Sequence, residues 1–164
     1  MVYTAAFAGQ VMQEEGTVSV EIRRLPHSNG LALPAYETPG AAGMDIRAAL
    51  TEPLEIAPGC AEMVPTGFEM AIPRGYEGQV RPRSGLAVRN SILVPNSPGT
   101  IDSDYRGELK VILLNMGPAP FMVEHGMRIA QLVVSPVVKA HWIEVEQLPP
   151  TTRGDGGFGH TGVS

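Results

Sequence analysis

Hydrophobic and polar residues alternate in short runs along most of this chain. In the segment 17–23 every second residue is a valine or an isoleucine, and in the segment 107–115 Leu109, Val111 and Leu113 lie on one side. A period of two is typical of a β-strand with one buried face. Related patterns predict further short strands at 41–48, 54–56, 60–64, 67–72, 75–82, 92–95, 121–124, 128–134 and 138–145.

A helix is predicted at one place only, Ser84–Asn90, where Ser84 is a natural N-cap. Glycine and proline, 19 and 15 of the 164 residues, separate nearly all of the predicted elements. Many short strands at regular spacing are typical of a sandwich, a jelly roll or a small barrel. We therefore expect an all-β domain at 17–147, a weakly structured extension at 1–16 and a flexible glycine-rich arm at 148–164.

Charge and cysteine content narrow the classes of partner and compartment. The formal net charge of −5 argues against a general nucleic-acid surface, but a few arginines can still bind a small anion. Cys60 is the single cysteine, so we expect no intrachain disulfide and no thiolate zinc site, and a reducing cytoplasm fits. We expect no membrane span and, from residues 1–16, no secretory signal.

The stretch Gly99–Glu108 combines turn residues, two carboxylates and a tyrosine, which predicts two short strands joined by a tight connection. Asp102 directly follows an aliphatic residue, where a carboxylate can be partly desolvated and aimed as a general base. Tyr105 offers a flat face to a sugar or a base. Asp102, Ser103 and Asp104 are also typical of an ordinary turn, and that interpretation stays open.

Two segments are candidates for binding an anion. Arg83, Ser84 and Gly85 offer a cation, a hydroxyl and an approachable backbone at the predicted helix start, although a strand end with an ordinary N-cap has the same pattern. In the C-terminal arm, Arg153 offers a second cation and Phe158 a ring among glycines whose N–H groups are free. An unstructured terminus of chance composition is the alternative for the arm.

The chain shows no strong metal-binding pattern. Asp45, Asp102 and Asp104 do not form a dense carboxylate cage, and the four histidines lack metal-ligand spacing. A divalent ion would therefore be Mg²⁺ held by substrate phosphates and water. Asp45 either holds such a water or simply anchors a turn.

Five segments, in order, resemble the five motifs of the trimeric deoxyuridine triphosphatase (dUTPase) family. All five in this order and at family-like spacing form a specific signature, which covers the chain from about residue 17 to its end. The segments are Ala42–Ala48 (AGMDIRA), Arg81–Ala87 (RPRSGLA), Gly99–Glu108 (GTIDSDYRGE), Gly126–Leu132 (GMRIAQL) and Arg153–Gly162 (RGDGGFGHTG).

The resemblance implies a distorted jelly-roll or β-barrel-like subunit and a homotrimer whose active sites are shared between subunits. It also implies hydrolysis of dUTP to dUMP and pyrophosphate, which lowers dUTP and supplies dUMP for thymidylate synthesis. Asp102 would activate a water for attack on the α-phosphorus, and Asp45 would reach Mg²⁺ through water. The glycine-rich arm would close over the nucleotide. No nucleic-acid or membrane partner is implied.

The substrate contacts also follow from the resemblance. Tyr105 would stack on the sugar and exclude a 2′-hydroxyl, and Asp102 would bond the 3′-hydroxyl. The phosphates would be held by Arg83, Ser84, Gly85 and Gln131, with Arg153 on the γ-phosphate. Uracil would be contacted by Asn96 through a water, by Gly99, Thr100, Ile101 and Lys110 mainly through the backbone, and by Phe158 and Gly159 from the arm.

Three positions depart from the family pattern. Met127 stands where an acidic residue is usual, Thr100 replaces an aliphatic residue, and His160 replaces a serine and would add a titratable donor near the γ-phosphate.

Two alternative functions stay open: a dCTP deaminase-like enzyme of the same superfamily, and a nucleotide-sensing regulator that has lost catalysis. The intact segment Gly99–Glu108 and the full arm favour the pyrophosphatase.

Overall fold

The computed structural model describes residues 16–157, which form short strands and one α-helix. Residues 1–15 of the extension predicted at 1–16 lie outside this range, as do Phe158, Gly159 and His160 of the arm. No helix in the described range has the length and apolar character needed to cross a membrane. The elements are β1 (Glu21–Arg24), a 3₁₀ helix (Pro26–Ser28), β2 (Met44–Arg47), β3 (Leu54–Ile56), β4 (Ala61–Ala71), β5 (Tyr76–Arg81), α1 (Ser84–Asn90), β6 (Ile92–Leu93), β7 (Gly99–Ile101), β8 (Glu108–Asn115), β9 (Phe121–Val123) and β10 (Arg128–Pro136).

The strands form two four-stranded sheets and a two-stranded ribbon. The first sheet has the order β1-β4-β8-β6, the second has the order β2-β10-β5-β7, and β3 pairs with β9. Every pairing in the described range is antiparallel. Neighbouring strands are mostly distant in sequence, which is the connectivity of a jelly-roll-like fold and confirms the all-β prediction.

One apolar core joins the two sheets. Val111 and Leu113 of β8 and Val80 and Leu132 of the second sheet are at most 3% exposed and lie in a single cluster. Alternation along β8 correctly identified this buried face, because successive side chains of a strand point to opposite sides. Burying each such aliphatic side chain contributes roughly 1.5–3 kcal/mol, so the sheets are held together mainly by this cluster.

Strand β4 replaces the two strands predicted at 60–64 and 67–72. It runs without a break from Ala61 to Ala71, and its register against β8 shifts between Pro65 and Glu69. Gly67 lies inside this irregularity with φ of +75°, a conformation that costs glycine little. Gly67, predicted as the first residue of a second strand, therefore marks a β-bulge inside one strand.

The segment Gly99–Glu108 is not a paired hairpin. β7 pairs with β5 in the second sheet, whereas β8 pairs with β4 and β6 in the first. The turn itself forms, since the Tyr105 amide donates to the Asp102 carbonyl at 3.1 Å. The connection between the two strands therefore crosses from one sheet to the other and carries Asp102 and Tyr105 between them.

Two predictions about element ends were wrong. The N-cap of α1 is Arg83, whose extended backbone lets its carbonyl accept from the Leu86 and Ala87 amides, so Ser84 is already the first helical residue. The first strand begins at Glu21 rather than at residue 17, because β1 pairs only with residues 68–71 of β4. Pairing with a distant strand, rather than local alternation, sets where it starts.

The strand predicted at 138–145 is also absent from the described structure. This segment follows β10 without regular structure, and Val138, Trp142 and Ile143 are 94%, 90% and 78% exposed. A strand needs a neighbouring edge for its backbone hydrogen bonds, and residues 16–157 offer the segment none. The result is a segment whose apolar side chains are exposed to solvent.

Replacing Ile56 with alanine tests the contribution of the ribbon to the core. Ile56 is fully buried in the main cluster, so the change is expected to lower the free energy of unfolding by about 2–5 kcal/mol, measured by urea denaturation at fixed protein concentration. Glu55→Ala on the same strand is the control, because Glu55 is exposed and surface changes stay within about 0.5 kcal/mol. Equal losses for the two variants would contradict the packing described here.

Candidate active site

A pocket of about 380 Å³ lies where β7, β8 and β4 approach one another. Most of the residues predicted to contact the nucleoside line it together. They are Asn96, Thr100, Ile101, Asp102, Tyr105 and Lys110, joined by Met63, Glu108 and Ile112. Gly99 is buried just behind, where a Cβ would meet the Asn96 amide nitrogen at 3.0 Å. The pocket thus combines a carboxylate, an aromatic ring and exposed backbone of β7.

Asp102 is the first residue after β7 and is exposed in the described chain. Its backbone carbonyl accepts from the Tyr105 amide, so the backbone of Asp102 is fixed at the end of β7. The side chain, with its carboxylate, stays open to the pocket. The partial desolvation expected from its aliphatic neighbour is not present within one chain. A general base at this position needs further atoms to exclude water, and those atoms must come from outside the described residues.

Tyr105 is held with its ring against the backbone. Its hydroxyl donates to the Glu108 carbonyl at 3.0 Å, and a Cβ on Gly107 would lie within 3.0 Å of three atoms of the phenol. Glycine at 107 is therefore what allows the ring to fold down. The ring is 43% exposed and presents a flat surface to the pocket.

A second cluster surrounds Asp45 on β2. The Asp45 side chain is only 4% exposed, and its oxygens accept from Arg83 at 3.1 Å and from Arg128 at 3.0 Å. The Gln131 amide lies at 3.5 Å from the same carboxylate. A buried carboxylate needs such partners, and here it orients two guanidinium groups whose side chains are 23% and 40% exposed and so remain accessible to an anion.

Helix α1 begins beside this cluster. Ser84 and Gly85 form its first turn directly after Arg83, and the Arg89 guanidinium folds back over Gly85, where a Cβ would meet an Arg89 nitrogen at 2.7 Å. The residues predicted to hold phosphates, Arg83, Ser84, Gly85 and Gln131, are therefore gathered in one region. Arg89, which was not predicted as a site residue, lies in this region as well.

Arg128 is a second cation of this region that was not predicted as a site residue. It opens β10 next to Met127 and contacts Glu37 at 3.7 Å as well as Asp45. The available signal was its place in the fourth motif, three residues before Gln131. On a regular strand, residues three apart point to opposite faces, but the register of β10 against β2 shifts between Arg128 and Ala130. Both side chains therefore reach Asp45, which lies 83 and 86 residues away along the chain.

The two clusters remain separate within one chain. In the second sheet, Ile101 of β7 lies opposite Gly78 and Gln131 of β10 lies opposite Arg81, so these backbones are roughly 14 Å apart from strand rise and spacing. The side chains of Gln79 and Arg81 hydrogen-bond to each other in between, at 2.6 Å. The pocket around Asp102 is lined by no member of the Asp45 cluster.

The described part of the C-terminal arm contacts neither cluster through a hydrogen bond or ion pair. Arg153 donates to the Gly156 carbonyl at 2.7 Å within a local turn and is exposed. The predicted contacts of Phe158 and Gly159 lie outside the described residues.

The donors fit a magnesium ion only in a limited way. In residues 16–157, no group of three or more histidine, cysteine, aspartate or glutamate side chains can hold a metal. Both Asp45 oxygens are already bonded to guanidinium groups, so Asp45 does not fit a direct ligand. The arrangement is compatible with an ion carried by substrate phosphates that reaches Asp45 through water.

The fold and these two clusters define a class: all-β proteins with a nucleoside-sized pocket and a separate cationic site. The family model described as dUTPase matches residues 30–162. The chain is 56% identical over 150 residues to the deoxyuridine 5′-triphosphate nucleotidohydrolase of Sinorhizobium medicae (strain WSM419), covering 90% of this chain and 94% of that protein. The corresponding protein of Rhizobium meliloti (strain 1021) is 57% identical, with coverages of 90% and 93%. This chain belongs to the dUTPase family.

Solved structures agree on the fold. The dUTPase of Staphylococcus bacteriophage 80alpha with dUPNHPP has a TM-score of 0.80 at 25% identity, covering 90% of this chain and 100% of that one. A mutant dUTPase of phage phi11, whose structure describes coordination of a structural Mg(II) ion, has a TM-score of 0.71 at 22% identity, covering 79% and 98%.

Proposed function

We propose that this protein hydrolyses dUTP to dUMP and pyrophosphate. The observation that carries the proposal is the pocket that brings Asp102, Tyr105 and Asn96 together, in a chain of this family. Its curated relatives are named for action on deoxyuridine 5′-triphosphate. The pocket is lined by no arginine, which suits binding of the base and sugar rather than of the phosphates.

In this proposal Asp102 orients a water and takes its proton as the water attacks the α-phosphorus. The exposed carboxylate at the end of β7 supports the role, because it can accept both from a water and from a 3′-hydroxyl. Tyr105 stacks on the deoxyribose, where a 2′-hydroxyl would clash with the ring. Asn96 and the backbone of Gly99, Thr100 and Ile101, with Lys110, read uracil by its donors and acceptors.

The phosphate chain lies along the Asp45 cluster. Arg83 and Gln131, with Ser84 and Gly85 of α1, contact its oxygens, and Asp45 holds Arg83 in place. Arg153, Phe158 and Gly159 join when the arm closes, which shields the reaction from water. Asp45 would hold, through water, an Mg²⁺ ion brought by the substrate, and such an ion would neutralise part of the phosphate charge.

We further propose a homotrimer in which one site takes its two halves from different subunits. The outer face of the first sheet supports this, because Met63, Leu93, Ile112 and Leu114 form a continuous apolar surface there by strand register. Met63 and Leu93 are 58% and 40% exposed, and Met63 and Ile112 also line the Asp102 pocket. A second copy covering this surface would bury it and supply the atoms that enclose Asp102.

The exposed apolar segment after β10 supports association as well. Val138, Trp142 and Ile143 have no partner surface within the described chain, and a neighbouring subunit is a natural place for them to pack.

We assign catalysis to a domain at 17–147 and closure over the site to the arm at 148–164. We assign the protein to the cytoplasm, where its nucleotide substrate is found.

The deciding experiment is pyrophosphate release with Mg²⁺ from dUTP, dCTP, dTTP and UTP in parallel. Release from dUTP with at least roughly 10²-fold lower kcat/KM for the others is expected, because each rejected nucleotide loses or violates a specific contact. Ammonia release from dCTP would identify a deaminase. Saturable dUTP binding without turnover would identify a regulator that has lost catalysis.

A further inference from the structure

Beside Tyr105 lies a partly buried contact between Glu108, the last residue of the third motif segment, and His27, which lies outside all five segments. Glu108 lines the nucleoside pocket, and its side chain is 14% exposed. Its Oε1 accepts from the Gly67 amide at 2.8 Å and contacts His27 Nε2 at 2.6 Å. Because an ionised carboxylate can only accept, Nε2 of His27 is the donor in this contact.

His27 belongs to a support that is itself fixed to β4. It sits in the 3₁₀ helix Pro26–Ser28, where the Leu25 amide donates to the Gly67 carbonyl at 2.8 Å. Ser28 is buried against Gly67, where any Cβ would approach its side chain to 2.6 Å. The 3₁₀ helix is thus packed on the β-bulge and can hold His27 in a defined place.

Glu108 also determines where Tyr105 lies. The Tyr105 hydroxyl is bonded to the Glu108 carbonyl, and Glu108 is the first residue of β8. A chain of hydrogen bonds therefore leads from His27, through both the side chain and the backbone of Glu108, to the Tyr105 ring. His27 and Glu108 are 81 residues apart, so this link exists only in the folded chain.

We propose that His27 is a positioning residue for sugar selectivity, which rests on the proposed function of Tyr105. By holding the Glu108 carboxylate against Gly67, His27 fixes the start of β8 and with it the ring that excludes a 2′-hydroxyl. Without His27, one of the two contacts to Glu108 is lost, the ring gains freedom, and UTP is rejected less strongly.

The test compares kcat/KM for dUTP and UTP in His27→Ala and His27→Gln. His27→Ala is expected to lower the dUTP/UTP ratio roughly tenfold, the size that loss of one hydrogen bond to a charged group produces. His27→Gln keeps an N–H donor and is expected to restore most of the ratio. His125→Ala is the matched control, because His125 also joins two loops, through Leu50 and Asn29, but does not line the pocket.

A double variant tests the route through Glu108. In a Glu108→Gln background the charge held by His27 is absent, so adding His27→Ala is expected to change the ratio by less than about twofold. Should His27→Ala fail to fold, His27→Asn takes its place, since asparagine is polar but too short to reach Glu108.

The outcomes separate this inference from the proposed function. An unchanged dUTP/UTP ratio in His27→Ala, with wild-type turnover of dUTP intact, would overturn the positioning role alone. A lower melting temperature without a change in ratio would leave His27 a purely structural residue and would overturn it equally. Failure of the wild-type protein to turn over dUTP would instead reject the proposed function.

Discussion

Asp102→Asn is expected to lower kcat for dUTP by roughly 10²–10⁴-fold, the range that a positioned general base contributes. Asparagine has the same shape and keeps one oxygen to accept from a 3′-hydroxyl, but it cannot take the proton of the attacking water. Affinity for a non-hydrolysable dUTP analogue is therefore expected to stay near the wild-type value. Pyrophosphate release and calorimetric titration measure the two quantities separately.

Asp104→Asn is the matched control for this loss. Asp104 lies two residues away in the same turn and is exposed like Asp102. It lines two neighbouring clefts, one of them together with Asp102, but it does not line the nucleoside pocket. It should keep nearly full turnover. Near-normal kcat in Asp102→Asn, or an equal loss in both variants, would reject Asp102 as the base and return the pair to ordinary turn residues.

Mixing two inactive subunits is expected to restore activity if the site is shared. Arg83→Gln removes the cation from the phosphate side and leaves Asp45 paired with Arg128, so its subunits should fold but turn over little. In a mixed trimer of Asp102→Asn and Arg83→Gln subunits, one of the three sites receives an intact Asp102 and an intact Arg83. Mixed trimers purified through two different tags should therefore recover about a third of wild-type activity.

The control uses Asp102→Asn mixed with a subunit that carries both changes. Such trimers contain no site with both intact groups and should stay inactive. A lack of recovery in the first mixture, with mixed trimers confirmed by mass, would mean that each site is built within one subunit. The separation of the Asp102 pocket from the Asp45 cluster would then have to close by movement within the chain.

Much of the candidate site could be predicted from the sequence because its parts are short, contiguous motifs. The segment around Asp102 combines a turn, a carboxylate and an aromatic ring within a few residues, and most of its predicted members do line one pocket. Arg89 and Arg128 were missed as members of the cationic region, because each is identified only by what it touches. The Asp45 contacts join residues 38 and 83 positions apart, and nothing local announces them.

The sequence by itself determined the strand-rich fold, the place of α1 though not its N-cap, the bounds of β3, and the buried face of β8. These follow from local alternation, glycine and proline, which act within a few residues. Only the tertiary structure decided that β7 and β8 enter different sheets, that β4 is one bulged strand, and that residues 138–145 pair with no strand in the described part of the chain. Strand pairing and the His27–Glu108 contact both join residues that are distant in sequence. The free energy of such a contact depends on both partners, so no single segment of the sequence predicts it.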